Sequence, residues 1–262
     1  MINFRTYGSK PYKIAVVHGG PGAPGSAAAV ARELSREWGV LEPLQTATTL
    51  EGQVQELHET LRSHGAVPAI LIGHSWGAWL SFILSAEYPS CVSKLILVCS
   101  GPFEEHYRAE LEEKRFGRMS PVEKAEAESI IEYLYSADAG KKDEKLARLG
   151  ELVERADNYD TEEIETDSLD RISAEGDTYR QVWEEAEKLR RSGKLLEYGR
   201  RIKCPVIAIH GDYDPHPAEG VREPLSRILE DFRFYLLEKC GHTPWKERHA
   251  REEFYRILKR EI

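Results

Sequence analysis

The chain has 262 residues, 41% hydrophobic and 31% charged, with a formal net charge of −9. The length suits one large core or a core with a lid, the composition excludes a disordered chain, and the acidic balance argues against a nucleic-acid partner, which would want a basic face. No apolar run approaches the ~20 residues that cross a bilayer, and Met1-Ile2-Asn3-Phe4-Arg5 carries no apolar signal region, so a cytoplasmic protein with no membrane partner is expected.

In chain order, Ile14-Ala15-Val16-Val17 is short, apolar and followed by Gly and Pro, which predicts a buried strand. Ser26 to Trp38 reads as helix and Gly39 to Leu44 as a short strand. Leu50, Val54, Leu57 and Leu61 give helical spacing over Leu50 to His64. Ala69 to Ile72 is a further strand, Ala78 to Tyr88 a helix, and Leu95 to Val98 a strand. The alternation stops at Gly101-Pro102. From about 103 to 200 only helical patterns occur, and Pro102 to Lys203 holds 19 Lys and Arg against 27 Asp and Glu, a net of −8 within the chain's −9. Val206 to Ile209 resumes the strands, followed by a helix near Pro217 to Leu229, a strand at Phe234 to Leu237 and a closing helix from Pro244 to Lys259.

Strands apolar at consecutive positions are buried on both faces, and their alternation with helices implies a parallel sheet covered on both sides. The expected fold class is α/β: a mostly parallel sheet with helices on both faces and an inserted helical lid. The core takes 1–102 and 201–262, and the lid 103–200. The cysteines at 91, 99, 204 and 240 show neither metal-ligand nor redox spacing, and buried free thiols are expected.

Gly73-His74-Ser75-Trp76-Gly77 follows a predicted strand and opens a predicted helix. In that context Ser75 sits on a strained strand-to-helix turn that lifts its Oγ above the sheet, while the glycines let neighbouring backbone approach. Ser75 is the expected nucleophile. Acyl transfer also needs two amide donors for the oxyanion. Trp76 supplies one, and the tight loop His18-Gly19-Gly20-Pro21-Gly22 supplies the other, assigned to Gly20; His18 is expected to hold that loop. His242, in Gly241-His242-Thr243 after the last strand, is the expected general base. His210-Gly211-Asp212-Tyr213-Asp214-Pro215-His216 offers two carboxylates, Asp212 and Asp214, for the acid. Its alternation also suggests a metal site, but side chains that alternate along an extended segment point to opposite faces and should not all converge, so no metal is expected.

These motifs make the chain resemble an α/β-hydrolase-fold serine hydrolase. The pairing of His18-Gly19-Gly20-Pro21-Gly22 with Gly73-His74-Ser75-Trp76-Gly77 is similar to the proline iminopeptidase group, over the whole chain except the lid. The acid of that family usually follows a strand in a Gly-x-x-Asp pattern, which maps onto Gly211 to Asp214, so the resemblance points to Asp214, with Asp212 second. Two departures bear on specificity for an N-terminal proline: Glu42 to Thr48 replaces the family's Asp-Gln-Arg-Gly-like run, and the N-terminal hairpin is expected to be reduced.

The expected function is hydrolysis of a small ester or amide through an acyl-serine, with Ser75, His242 and Asp214 as a triad and no cofactor. The partner is a small-molecule or short peptide substrate. A proline iminopeptidase-like aminopeptidase is second, for which a lid carboxylate among Glu151–Asp170 or beside Trp183-Glu184-Glu185 would pair with a substrate ammonium. Carbon–carbon bond hydrolysis is third. A non-catalytic ligand receptor on the same fold is the alternative of another class.

Overall fold

The computed structural model describes residues 3–136, 140–163 and 175–262. In chain order the elements begin with β1 (Phe4–Tyr7), β2 (Tyr12–Val17), α1 (Ala28–Leu34), β3 (Gly39–Pro43) and α2 (Leu50–His64). They continue with β4 (Ala69–His74), α3 (Trp76–Glu87) and β5 (Val92–Val98). Between β5 and the next strand come α4 (Arg108–Gly117), α5 (Pro121–Leu134), α6 (Lys142–Asp157), α7 (Gly176–Arg191) and α8 (Lys194–Glu197). The chain closes with β6 (Val206–Gly211), α9 (Glu219–Ile228), β7 (Phe232–Leu237) and α10 (Arg251–Glu261).

The strands form one 7-stranded sheet in the order β1-β3-β2-β4-β5-β6-β7. β1 runs antiparallel to β3, and the other neighbours are parallel. The consecutive apolar positions divide between two faces, as a pleat requires. Ala15 and Val17, Leu71, Leu95 and Leu97, Val206 and Ala208 join one apolar cluster with residues of α2, α3, α7 and α9. Ile14 and Val16, Ile72, Ile96 and Val98, Ile207 and Ile209 join a second with residues of α1 and α10. α5 and α6 have a small apolar cluster of their own, built on Ile130, Leu134, Leu146, Leu149 and Leu152. No helix among the described residues is long and apolar enough to cross a membrane.

Several boundaries differ from the sequence expectation. α1 stops at Leu34, where the Ser35 hydroxyl donates to the Arg32 carbonyl at 2.7 Å and closes the turn. β1 was not foreseen, because four residues, three half-buried and one exposed, carry too little periodicity to register. β1 pairs antiparallel with β3 rather than with β2, which follows it in the chain. The closing helix starts at Arg251 rather than Pro244, because the intervening residues make a short 3₁₀ turn at Pro244–Lys246 and a buried anchor at Glu247.

The first turn of α3 sits directly on the end of β2. A Cβ on Gly77 would lie 2.4 Å from the His18 carbonyl oxygen and 2.6 Å from that of Val17. Gly77→Ala is therefore expected to destabilise the protein by about 1–3 kcal/mol, the usual cost of overpacking. Gly150, in the middle of α6, has nothing within 4 Å of its would-be Cβ, so Gly150→Ala should leave stability unchanged or raise it by up to ~1 kcal/mol. Denaturant midpoints of the two variants test the contrast.

Candidate active site

Ser75 follows β4 and precedes α3 with φ 52° and ψ −116°, a conformation that costs a non-glycine residue roughly 1–3 kcal/mol. Two features hold it there. Its amide donates to the Val98 carbonyl at 3.0 Å, and a Cβ on Gly73 would lie only 2.2 Å from the Gly77 carbonyl oxygen, so the turn closes only around glycine. The Ser75 side chain makes no cap hydrogen bond to α3. The first amides of a helix have no intrahelical partner and favour negative charge, so the end of α3 is suited to an oxyanion.

Asp214 lies on the loop after β6 and is 2% exposed. Its Oδ2 accepts a hydrogen bond from His242 Nδ1 at 2.8 Å. Its Oδ1 accepts from the His216 amide at 3.0 Å and from His216 Nδ1 at 2.7 Å. Burial alone would push the carboxyl up, but the charges and hydrogen bonds of His242 and His216 outweigh it and hold Asp214 well below the usual carboxylate range. Burial likewise disfavours the charged form of His242, and the adjacent Asp214 reverses this, so its imidazole is pushed up. With Nδ1–H given to Asp214, the His242 Nε2 carries the lone pair a general base needs. Asp212 is differently engaged: its Oδ1 accepts from the Cys240 amide at 3.1 Å.

His74, the variable residue of the Gly-x-Ser-x-Gly motif, donates from Nε2 to the His242 carbonyl at 2.9 Å. Burial and the nearby His242 push it down to about 3, so it stays neutral. Gly19 makes room for this ring: its Cβ would lie 2.6 Å from His74 Nδ1 and 3.3 Å from the Ser75 Cβ. His18 donates from Nδ1 to the Gly19 carbonyl at 2.9 Å while its Nε2 accepts from the Gln45 amide. That is the loop-holding role expected of it. The Gly19 amide donates to Ser26 Oγ at 3.1 Å, and Gly20 adopts φ +59°.

The helical segment between β5 and β6 is tied to the His242 loop. The His242 amide donates to the Asp157 carbonyl at 3.0 Å and the Thr243 amide to Asn158 Oδ1 at 2.8 Å. The Glu247 carboxylate, 0% exposed, accepts from the amides of Gly241, Tyr159 and Asp160 at 2.7, 2.7 and 2.8 Å. Asp157 itself is held by Arg115 of α4 in a two-point pair, with Nε at 2.8 Å and Nη2 at 2.6 Å. At the other side, the Glu175 amide donates to the Gly22 carbonyl at 2.8 Å, which seats α7 on the His18–Gly22 loop. Trp183 of α7 meets the Trp76 ring edge-on at 6.4 Å and stacks between Trp79 at 5.7 Å and Tyr179 at 6.3 Å. Trp183 and Tyr179 are half-buried.

Sequence reasoning expected the four side chains of the 210–216 run not all to converge, and Asp212 is not among those that do. The loop bends, and three of the four gather: His210 Nε2 is 3.7 Å from Asp214 Oδ2, and His216 and Asp214 are hydrogen-bonded. Cys99, His210 and Asp214, and separately Asp214, His216 and His242, bring ligand-type atoms within 4.8 Å of one another. The short N–H···O contacts to His216 and His242 already occupy the carboxylate. His74, His216 and Glu247 were missed as site residues. His216 lies in the quoted run and its signal was Asp-Pro-His, an Asx-turn spacing; Glu247 gave none. All four cysteines are free thiols, with Cys204 half-buried and the others buried. The end of the acidic stretch, residues 164–170, lies outside the described residues.

The family described as alpha/beta hydrolase fold matches residues 42–248. The chain belongs to the α/β-hydrolase fold family. Within that family it is similar to human monoacylglycerol lipase ABHD6, at 24% identity over 202 residues that take in 76% of this chain and 57% of the human protein. The chain thus spans little more than half the length of that relative. Among solved structures, VinJ superposes with a TM-score of 0.69 at 18% identity, covering 98% of this chain and 93% of VinJ. A proline iminopeptidase from Mycobacterium smegmatis gives 0.60 at 18% identity, covering 98% and 92%. The family match and the lipase relative support a hydrolase.

The two carboxylates should respond differently to neutralisation. Asp214→Asn leaves His242 without its anionic partner and is expected to lower kcat by on the order of 10⁴, as seen for such a change in another triad. Asp212→Asn removes a charge but keeps a side-chain oxygen that can accept from the Cys240 amide, so it should stay within about tenfold of wild type, the scale of one weakened hydrogen bond. The steady-state rates of both variants are the check, and the reverse order would make Asp212 the acid.

Proposed function

We propose that the chain is a serine hydrolase that cleaves a small ester or amide through an acyl-serine intermediate. The observation that carries this reading is the Asp214–His242 hydrogen bond at the rim where Ser75 stands in its strained turn, all at carboxyl ends of sheet strands. Ser75 Oγ attacks the substrate carbonyl carbon as its proton passes to His242 Nε2. Asp214 keeps the imidazole in the Nδ1–H tautomer and stabilises it once charged. The Trp76 amide at the start of α3 and the Gly20 amide hold the oxyanion; the neighbouring Gly19 amide is already given to Ser26. His242 then delivers its proton to the leaving group, the acyl-serine forms, and water attacks by the same route in reverse roles.

The half-buried Tyr179 and Trp183, set one helical turn apart on the helix that rests on the Gly22 loop, support an apolar acyl group beside Trp76. The monoacylglycerol lipase relatives favour the same chemistry. The aminopeptidase reading needs a carboxylate free to meet a substrate ammonium. Asp157, whose carbonyl touches the His242 amide, is committed to Arg115, and Glu185 accepts from the Leu50 amide at 2.7 Å. Those carboxylates favour the ester reading.

A fluorophosphonate probe is expected to label wild type at Ser75 and not Ser75→Ala; absence of labelling would favour a non-catalytic receptor. In a panel of p-nitrophenyl esters and aminoacyl p-nitroanilides, the apolar acyl esters should turn over fastest. Trp183→Ala should raise KM for them about tenfold with little change in kcat, from the loss of an aromatic contact worth ~1 kcal/mol or more. Turnover of the anilides alone would sink the ester reading.

A further inference from the structure

We infer that His216 is a positioning residue for this reaction: it grips one oxygen of Asp214 so that the other is presented to His242, and thereby sets how tightly His242 holds its proton. The inference rests on the serine-hydrolase reading. Its starting point is one carboxylate shared by two imidazoles. Asp214 Oδ1 takes two donors from a single residue, the His216 amide and Nδ1–H, and Oδ2 takes His242 Nδ1–H. The Asp-Pro-His spacing explains the first contact, since an Asp side chain readily bonds the amide two residues on and Pro215 restricts the backbone between. The carboxylate therefore cannot rotate without breaking two bonds.

His216 is itself fixed. Its carbonyl accepts from His210 Nε2 at 2.8 Å, and His210 is 1% exposed. Its ring stacks on the His242 ring, with centroids 4.5 Å apart and planes at 25°. The stack limits rotation of His242 and keeps its Nδ1 aimed at Oδ2. An N–H on Oδ1 also draws charge away from Oδ2, so His242 holds its proton less tightly than it would beside an unshared carboxylate. His216 can play this part while neutral, and burial together with the neighbouring His242 pushes it down to about 4.

The other groups facing His242 are accounted for. His74, from the end of β4, is neutral and donates to the His242 carbonyl. His210 is buried and pushed down. Asp157 and Arg115, from α6 and α4, form a pair whose opposite charges act on His242 in opposite directions. Cys99, beside Asp214, is a buried thiol pushed up and stays uncharged. Among these, His216 is the residue that both stacks on the ring and shares its carboxylate.

The test is the pH dependence of kcat/KM in His216→Phe and His216→Asn. Phe keeps a ring against His242 and removes the Nδ1–H. Asn places an N–H donor near the same position. With Phe, charge returns to Oδ2, His242 is protonated at higher pH, and the acid limb is expected to move up by about half a unit or more. The plateau should fall roughly three- to tenfold through kcat rather than KM, as Asp214 is held less firmly. Asn should return the limb to its wild-type position. An unmoved or downward limb in His216→Phe, or an equal shift in both variants, overturns the inference. Should His216→Phe not fold, proton spectra decide: His216→Asn should lose one downfield imidazole N–H signal that wild type shows, while those of His18, His74, His210 and His242 remain, and an unchanged set of signals overturns the inference. Fluorophosphonate labelling of wild type at Ser75 separates the two failures. If labelling fails, the serine-hydrolase reading falls; if it succeeds and the limb does not move, only the role of His216 falls.

Discussion

A carboxylate taken out of water must be met by donors or it will neutralise itself. Asp214 is 2% exposed and meets three, two from His216 and one from His242. Much of the surrounding architecture can be derived from that requirement. β6 must end where its loop can bend back on itself, β7 must deliver Gly241-His242 alongside, and the loop must be stiff enough that the anion cannot turn towards solvent. Pro215 and the buried His210 supply the stiffness, and the parallel pairing of β6 with β7 supplies the register.

Around this anion the site is walled with neutral imidazole. His18, His74 and His210 each direct one ring nitrogen to a backbone carbonyl, and burial keeps each from taking a second proton. These histidines therefore act as rigid polar struts. Their neutrality matters for His242, because a second charged ring nearby would oppose the imidazolium that the proposed reaction forms there. The strained turn at Ser75 has a similar logic: its cost is local, and the apolar contacts of β4 on both faces of the sheet and of α3 on one offset it.

The sheet was legible because each central strand holds four consecutive apolar residues, a run that a two-face-buried parallel strand requires. The elbow was legible because a Cβ on Gly73 or Gly77 would lie 2.2 to 2.4 Å from backbone oxygens, and glycine in that context has few other uses. The bend at 212–216 was not, since alternation along an extended chain and convergence around one carboxylate begin from the same residues and differ only in the turn that Asp214 itself makes. The helical segment was legible as helix and illegible as a neighbour. Its net charge of −8 left room for a lid carboxylate that meets a substrate ammonium, whereas in the folded chain Asp157 is met by Arg115, Glu126 by Arg148 and Glu105 by Arg190. Composition reports the sum of such charges and says nothing of their pairing.

Glu247 has a bearing on how such a chain can change over generations. The α5–α6 pair carries its own apolar cluster, so the segment between β5 and β6 has the makings of an exchangeable module. Yet the amides of Tyr159 and Asp160 end on a carboxylate that belongs to the closing part of the chain, which also holds Gly241 next to His242. A transplanted segment without matching amides at that point would strand a buried anion beside the base. The rest of the segment is free to diverge and recruit new substrates, while the Tyr159–Asp160 stretch after α6 must be inherited together with the histidine loop it touches.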